Sequence, residues 1–509
     1  VNLNRDEYRS KVLGCWLGKN IGGTLGAPFE WRRQVNQVSF YTQDLGGEPR
    51  PNDDLDIQLL WLVALEERGV DLDAHALSEY WCLYVTPHWS EYGTAKVNMR
   101  SGLQPPLSGT YGNDYKDSCG AFIRSEIWAC IAPGAPQVAA RYAYEDAILD
   151  HGAGEGTYAE VFCAALESAA FVEPDIHALI DVALSYIPAD CGVAGAVRCA
   201  LDAYQGGKTW LEARDAVLEG YRGSTFFGFP EHTSAADRAK GFDQGRRGWD
   251  APSNIGMLLI GLLYGEGEFD ASLCTAVNCG EDTDCTGATV GSIFGILHGA
   301  DAIPERWIAP IGHTIKTACL NLGELGYFGN QLPATVEALT ERTMRVAHQV
   351  AMRQRLPVQI GDGPTDLSGL QPGSLAAGPL RERLYENLGG PVYRFADFRV
   401  GVDYGEEGPL IRPGVPKAIV LRIRNTYKVQ ANLGLHWYLP EGWRVAPAAD
   451  GALLALPAHL GAPLEVAFTL EADAVRAPMN RAVVELTIAG RPTAMLVPVT
   501  LLNGSLDKR

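Results

Sequence analysis

Two short stretches concentrate oxygen donors beyond what a single structural task uses. "NDDLD", residues 52–56, and "GEDTDC", residues 280–285, each stand at the start of a run with helical periodicity. Asp and Asn are favoured at helix N-termini, where a side-chain oxygen accepts from orphan backbone N–H groups and the helix dipole welcomes negative charge. One such cluster is explained as a cap. Two clusters carry more carboxylates than caps can use, and crowded like charges repel unless a cation compensates them. Hard cations such as Mg²⁺, Mn²⁺ or Ca²⁺ take oxygen ligands from carboxylates, amides and hydroxyls. Asn52, Asp53 and Asp54 from the first stretch, with Asp282 and Asp284 from the second, are therefore candidate ligands of one shared site. Hydrolysis is the chemistry such a site supplies, with metal lowering the pKa of a bound water and positioning substrate hydroxyls.

Other signals fail on inspection. "YQGGKTWLE" contains GKT, but a phosphate-binding loop needs Gly at 202, where the chain has Asp202; Thr209 and Glu212 read instead as a capping box. The ten histidines form no H-E-x-x-H pair, the eleven cysteines lack zinc-finger spacing and contain no C-x-x-C, and no G-x-S-x-G elbow occurs. Unpaired, mostly buried thiols are the expected state of these cysteines.

The early "GCWLGKNIGGTLGAPFE", the "NDDLD" helix start and "GEDTDCTGATVGSIFGILHGADAIPERW" together resemble the ADP-ribosylglycohydrolase family, over about residues 8 to 310. That family's pattern is G-x-x-x-G-D-x-x-G-x-x-x-E, then T-D-D-T, then G-G-D-T-D-T with a later I-P-x-x-W. The resemblance implies an all-α fold whose binuclear Mg²⁺ or Mn²⁺ centre hydrolyses the glycosidic bond of ADP-ribose or a related ribosyl compound. By position it implies that Asn52, Asp53 and Asp54 form the first ligand motif, that Asp282 and Asp284 belong to the second, and that Glu30 closes the Gly-rich motif near the metals. It gives Glu30, Asp54 and Asp282 the catalytic proton-handling roles, and it puts Gly120, Arg124 and His151 beside the substrate. The chain departs from the pattern at Asn20, Asn52, Leu55 and Cys285, where the family has Asp, Thr, Thr and Thr. Cys285 thus occupies a metal-ligand position with a soft thiol, which suits Mg²⁺ poorly, leaving Thr283, Thr286 or water to complete the second metal. Two alternatives accompany this reading: hydrolysis of a small N-riboside or other glycoside, and a degraded protein that holds ADP-ribose without turnover.

The elements that must position these residues are helices. Asn4 and Glu7 read as a capping box, after which Tyr8, Val12 and Trp16 recur at helical spacing; helix-length patterns continue to about residue 355. Residues 1–355 are expected to form a large all-α domain. "GDGPTDLSGLQPGSLAAGP" reads as part of a linker over 356–395. Over 396–509 the period falls to two, in "AIVLRIRN", "LEVAFTLEA" and "RAVVELTIAG", and the expectation is a small antiparallel β-sandwich. Its candidate roles are carbohydrate binding, homodimer formation or covering an apolar flank of the helical domain.

Composition bounds the partners. Of 509 residues, 42 are Lys or Arg and 61 Asp or Glu, for a formal net charge of −19, which repels nucleic acid. A small-molecule or ADP-ribosylated substrate is the expected partner. The amphipathic start lacks a secretory apolar core and no apolar run approaches membrane-spanning length, so the expected location is the cytoplasm, away from membranes.

Overall fold

The computed structural model describes residues 1–224, 229–321, 332–371 and 373–506. It divides into two compact units, one of Val1–Gly93 with Asn113–Leu384 and one of Thr94–Gly112 with Tyr385–Arg509.

The first unit is helical. Its opening helix, Arg5–Gly26, is capped by Asn4, whose side chain accepts from the N–H groups of Asp6 at 2.9 Å and Glu7 at 3.1 Å. Only half of the expected capping box forms: the Asn4 N–H donates to Thr365 Oγ1 at 3.0 Å, and Glu7 accepts from that same hydroxyl. The Thr209 and Glu212 box forms in both directions. The opening helix lies against the Thr283–His298 helix along a row of small residues. A Cβ at Gly18 would stand 2.0 Å from the Gly291 oxygen, one at Gly22 2.1 Å from the Gly287 oxygen, and one at Gly26 2.2 Å from the Thr283 oxygen. Glycine is therefore required for backbone-to-backbone approach, and this contact places the residues after Gly26 beside those that begin the partner helix. The third positioning helix, Asp53–Arg68, starts at Asn52 and ends at Gly69 in the left-handed region.

Strand β1 (Asn2–Asn4) pairs in parallel with β2 (Gln359–Gly361), so part of the stretch expected as linker is built into the helical unit. Asn2 Nδ2 fixes it further, donating to the carbonyls of Gly363 at 3.1 Å and Pro364 at 2.8 Å. Among the described residues no helix is long and apolar enough to cross a membrane.

The second unit is a two-sheet β structure. One sheet has the order β3 (Val392–Arg394), β4 (Phe398–Asp403), β6 (Lys417–Asn425), β10 (Leu464–Ala472), β8 (Trp443–Ala446). The other has the order β5 (Leu410–Ile411), β12 (Ala494–Asn503), β11 (Met479–Ile488), β7 (Ala431–Tyr438), β9 (Asp450–Ala455). Pairing is antiparallel except between β12 and β5. Alternate residues such as Ile419, Leu421 and Ile423 turn inward, as period two requires, and Trp437 meets Phe468 edge to face. Leu103 and Leu107 also lie in this core. Residues 94–112 thus join the β unit although they precede it by some 270 residues of helical chain; apolar burial, which the local pattern does not reveal, assigns them there.

Candidate metal centre

Each acidic residue is carried to the centre by a helix terminus. Asn52 caps its helix, its side-chain oxygen accepting from the Asp54 N–H at 2.9 Å, while its Nδ2 donates to Asp284 Oδ2 at 3.2 Å. Asn52 therefore ties the two acidic stretches together as cap and donor, with one lone pair of its oxygen engaged by the helix. Asp53 accepts from the Tyr92 hydroxyl at 3.1 Å. Asp54 is buried, its Oδ1 accepting from the Cys285 thiol at 3.6 Å and its Oδ2 lying 3.6 Å from Lys19 Nζ. Asp282 is held by its backbone N–H, which donates to Asn254 Oδ1 at 3.0 Å.

Two triads of donor atoms result, with the atoms of each within 4.8 Å of one another: Glu30, Asp282 and Asp284, and Asp54, Asp284 and Cys285. Asp284 is common to both. Asp53 is in neither. Asp54 Oδ2, Asp282 Oδ1 and Asp284 Oδ1 are buried oxygens with no hydrogen-bond donor. A buried acceptor left without a donor is costly, and a cation is the partner that such oxygens fit.

The electrostatics agree. Burial first, then the charges of Asp284, Asp282, Asp53 and Asp54, pushes the Glu30 carboxyl far above the usual carboxylate range. Burial does the same to Asp54, with the charges of Asp284 and Asp53 adding against relief from Lys19, and to Asp284, with Asp282 and Asp53 adding. Asp282 is pushed up to about 7, by burial and then by Asp250 and Asp54 against relief from its hydrogen bonds. The Cys285 thiol is likewise raised, by burial and then by Asp282 and Asp284. All of these groups would ionise more readily beside a divalent ion.

The third acid of the second stretch has another task. Glu281 takes a two-pronged ion pair from Arg33, Nε to Oε1 at 2.6 Å and Nη2 to Oε2 at 2.8 Å. The Arg33 Nη1 donates to the carbonyls of Gly223 at 2.9 Å and Phe242 at 2.6 Å. Glu281 and Trp31 both hold positive φ, 70° and 63°, so the two segments flanking the centre are conformationally strained. They border a cleft lined by Trp31, Arg33, Ser224, Asp250, Asn254, Glu281 and Asp282.

Three residues expected beside substrate are buried among protein partners. Arg124 is fully buried, its Nε donating to Asp146 at 2.9 Å and its two terminal nitrogens to Asp150 at 3.0 and 2.6 Å. Its Nη1 also donates to the Gly120 carbonyl at 2.6 Å, and its guanidinium lies 5.0 Å from the Trp81 ring centre. His151 is buried between Asp150, 2.8 Å from Nδ1, and Ser118, 3.2 Å from Nε2. A Cβ at Gly120 would stand 2.1 Å from Glu91 Oε1, so the end of that side chain would have to shift. Thr283 and Thr286 are also turned away, donating to the carbonyls of Gly26 at 2.8 Å and Thr283 at 3.4 Å.

Sequence reasoning missed Lys19 and Asp250. Lys19 is the buried cation of the cluster, donating to Ile123 O at 2.6 Å and Glu126 Oε1 at 2.7 Å while facing Asp54. A lysine among the apolar and small residues of "GCWLGKNIGG" is its only signal. Asp250 borders Asp282 in the cleft with Oδ1 lacking a donor, and its carboxyl is raised well above the usual range by burial, then by Glu91 and Glu281.

The helical unit thus brings two carboxylate-rich triads together at converging helix ends, with donor sets of the kind that metal ions take. The sequence profile of the ADP-ribosylglycohydrolase family matches residues 4–348, more than half of the chain, and the protein belongs to that family.

Proposed function

We propose that the protein is a metal-dependent glycohydrolase that cleaves a ribosyl glycosidic bond, with ADP-ribose on a protein or small-molecule acceptor as the substrate the family suggests. The observation that carries this reading is the set of buried oxygens on Asp54, Asp282 and Asp284 that lack hydrogen-bond donors, of which Asp54 Oδ2 faces the Lys19 ammonium at 3.6 Å. Mg²⁺ or Mn²⁺ bound there would supply a water of lowered pKa and a grip on ribose hydroxyls.

The chain's own residues would do the rest. Asp284 lies between the two triads and would hold both positions in register. Glu30 follows a one-turn helix, is partly buried like Asp282, and belongs to the all-oxygen triad; with that position filled it would be the carboxylate that takes a proton from a water at the anomeric carbon and returns it. The surrounding carboxylates would stabilise positive charge developing on the sugar ring, as in glycosidases generally. Asn52, Asn254 and Lys19 would act by positioning: Asn52 orients Asp284, Asn254 orients the Asp282 backbone, and Lys19 holds Asp54. Arg124, His151 and Gly120 would act as buried structural support.

One observation favours a second substrate class. Arg33, the cation among the described cleft residues, is engaged by Glu281 and two carbonyls, and Asp250, Asp282 and Glu281 make the cleft acidic. An acidic cleft repels a diphosphate and accepts a neutral or cationic group, which suits a small N-riboside or other glycoside. Chromatographic assay of ADP-ribosylated proteins, ADP-ribosyl small molecules and nucleosides, with Mg²⁺, Mn²⁺ or chelator, tests the proposal. Turnover of an ADP-ribosyl compound supports the first substrate, faster turnover of free nucleosides supports the second, and metal-independent turnover refutes both.

A further inference from the structure

The two triads differ in chemistry. Glu30, Asp282 and Asp284 offer oxygen alone, whereas Asp54, Asp284 and Cys285 offer two oxygens and a sulfur. We propose that the shared Asp284 joins two unlike metal positions: an all-oxygen position for a hard cation of the Mg²⁺ or Mn²⁺ kind, and a mixed position for a thiophilic ion such as Zn²⁺ or Co²⁺, bound by Cys285 as thiolate. The inference rests on the metal-centre reading above and assigns the second position its own metal class.

Four observations carry it. First, Cys285 Sγ lies 3.6 Å from Asp54 Oδ1. A tetrahedral ion with metal–sulfur bonds of about 2.3 Å and metal–oxygen bonds of about 2.0 Å spans a sulfur-to-oxygen edge of roughly 3.5 Å. Second, Asp284 Oδ1 is without a donor and Asp54 Oδ2 has no hydrogen bond, only the Lys19 ammonium 3.6 Å away, while the two residues are almost fully buried, at 4% and 1% exposure. Third, the hydroxyls that could replace sulfur with oxygen are directed to Gly26 and to the Thr283 carbonyl, so sulfur is the remaining donor of that triad. Fourth, Cys285 is buried, at 6% exposure, and its sulfur faces a carboxylate rather than an apolar wall. Thiolate ligands select borderline and soft ions over Mg²⁺. Binding at this position forms a metal–sulfur bond and breaks the S–H bond, the proton leaves to buffer, and no electron is transferred.

The test uses the full chain stripped of metal. Co²⁺ is added and the sulfur-to-cobalt charge-transfer absorption is followed, while Mn²⁺ binding is counted by electron paramagnetic resonance. The expected result is a charge-transfer band that saturates at one Co²⁺ per chain, is displaced by Zn²⁺ but not by Mg²⁺, and is absent in Cys285→Ser. Mn²⁺ should bind once in the wild type. Cys285→Thr should raise that to two, because an oxygen replaces the sulfur. Circular dichroism checks the fold of each variant, and Cys285→Ala serves if a polar replacement does not fold. Mn²⁺ binding with no cobalt–sulfur band overturns the inference and leaves the metal centre standing, as does a band that persists in Cys285→Ser. Failure of both ions to bind overturns the metal centre and the inference with it.

Discussion

Substituting Gly18 by Ala tests whether the glycine row is what brings the two acidic stretches together. A Cβ at Gly18 would stand 2.0 Å from the Gly291 oxygen and 2.3 Å from its carbon, where ordinary contact begins near 3.4 Å. The helices must part locally by roughly 1.4 Å, because the obstacle is backbone and has no rotamer to move. Overpacking of this kind costs about 1–3 kcal/mol, and a clash with a carbonyl belongs at the upper end, about 3 kcal/mol. With an unfolding entropy of about 2 cal/mol/K per residue, a unit of this size should lose about 4 °C in Tm. Gly14→Ala should cost less, since its nearest obstacle is 2.7 Å away. Gly22→Ala, with a 2.1 Å clash one turn nearer the centre, should also weaken metal binding, because parting the helices there pulls Glu30 from Asp282 and Asp284. Thermal melts by circular dichroism, with and without Mn²⁺, measure both effects. A Gly18→Ala melt unchanged within about 1 °C, or undiminished Mn²⁺ binding by Gly22→Ala, would refute the reasoning.

Two further outcomes follow from buried charge. Asp56 accepts from the N–H groups of Ala318 at 2.7 Å and Cys319 at 2.6 Å, yet burial raises its carboxyl from 3.8 to about 7. A raised folded-state value means that its stability contribution is present below pH 4 and is lost as pH rises toward 7. Asp56→Asn keeps an oxygen for both N–H groups, so in chelator the variant should match wild type near pH 4 and exceed it above pH 7, by up to about 4 kcal/mol. Parallel pH slopes in urea titrations would contradict this. Arg124→Ala should destabilise the protein by about 3–5 kcal/mol, because it strands Asp146 and Asp150 in the interior. An unchanged Tm with a raised KM would instead mean that Arg124 faces substrate.

The fold class was legible because periodicity reports burial directly: 3.6 through the helical unit and two through "AIVLRIRN" and its fellows. The acidic stretches were legible because carboxylates at helix starts exceeded the needs of capping. What spacing could not report was which side chains face one another across helices. "GEDTDC" looks like three equivalent acids, but Arg33, distant in sequence, claims Glu281 and leaves Asp282 and Asp284 for the centre. Asn52 looks like an oxygen ligand, and spacing did not report that its oxygen also caps the helix while its Nδ2 reaches Asp284. Arg124 and His151 look like polar groups for a ligand, and the aspartates that bury them lie 22 residues or more from Arg124 on one side and next to His151 on the other. Lys19 and Asp250 carry no motif at all. Leu103 and Leu107 belong to the β core through long-range packing that a local pattern does not encode.

The most direct test is to assay metal-dependent release of ribose or ADP-ribose across the substrate panel with wild type and with the double variant Asp282→Ala, Asp284→Ala. This pair of substitutions disrupts both triads and spares the Arg33 to Glu281 ion pair and the glycine row. The account predicts turnover by wild type that requires Mg²⁺ or Mn²⁺ and disappears in a folded double variant. Turnover that survives in the double variant, or that proceeds in chelator, would contradict it.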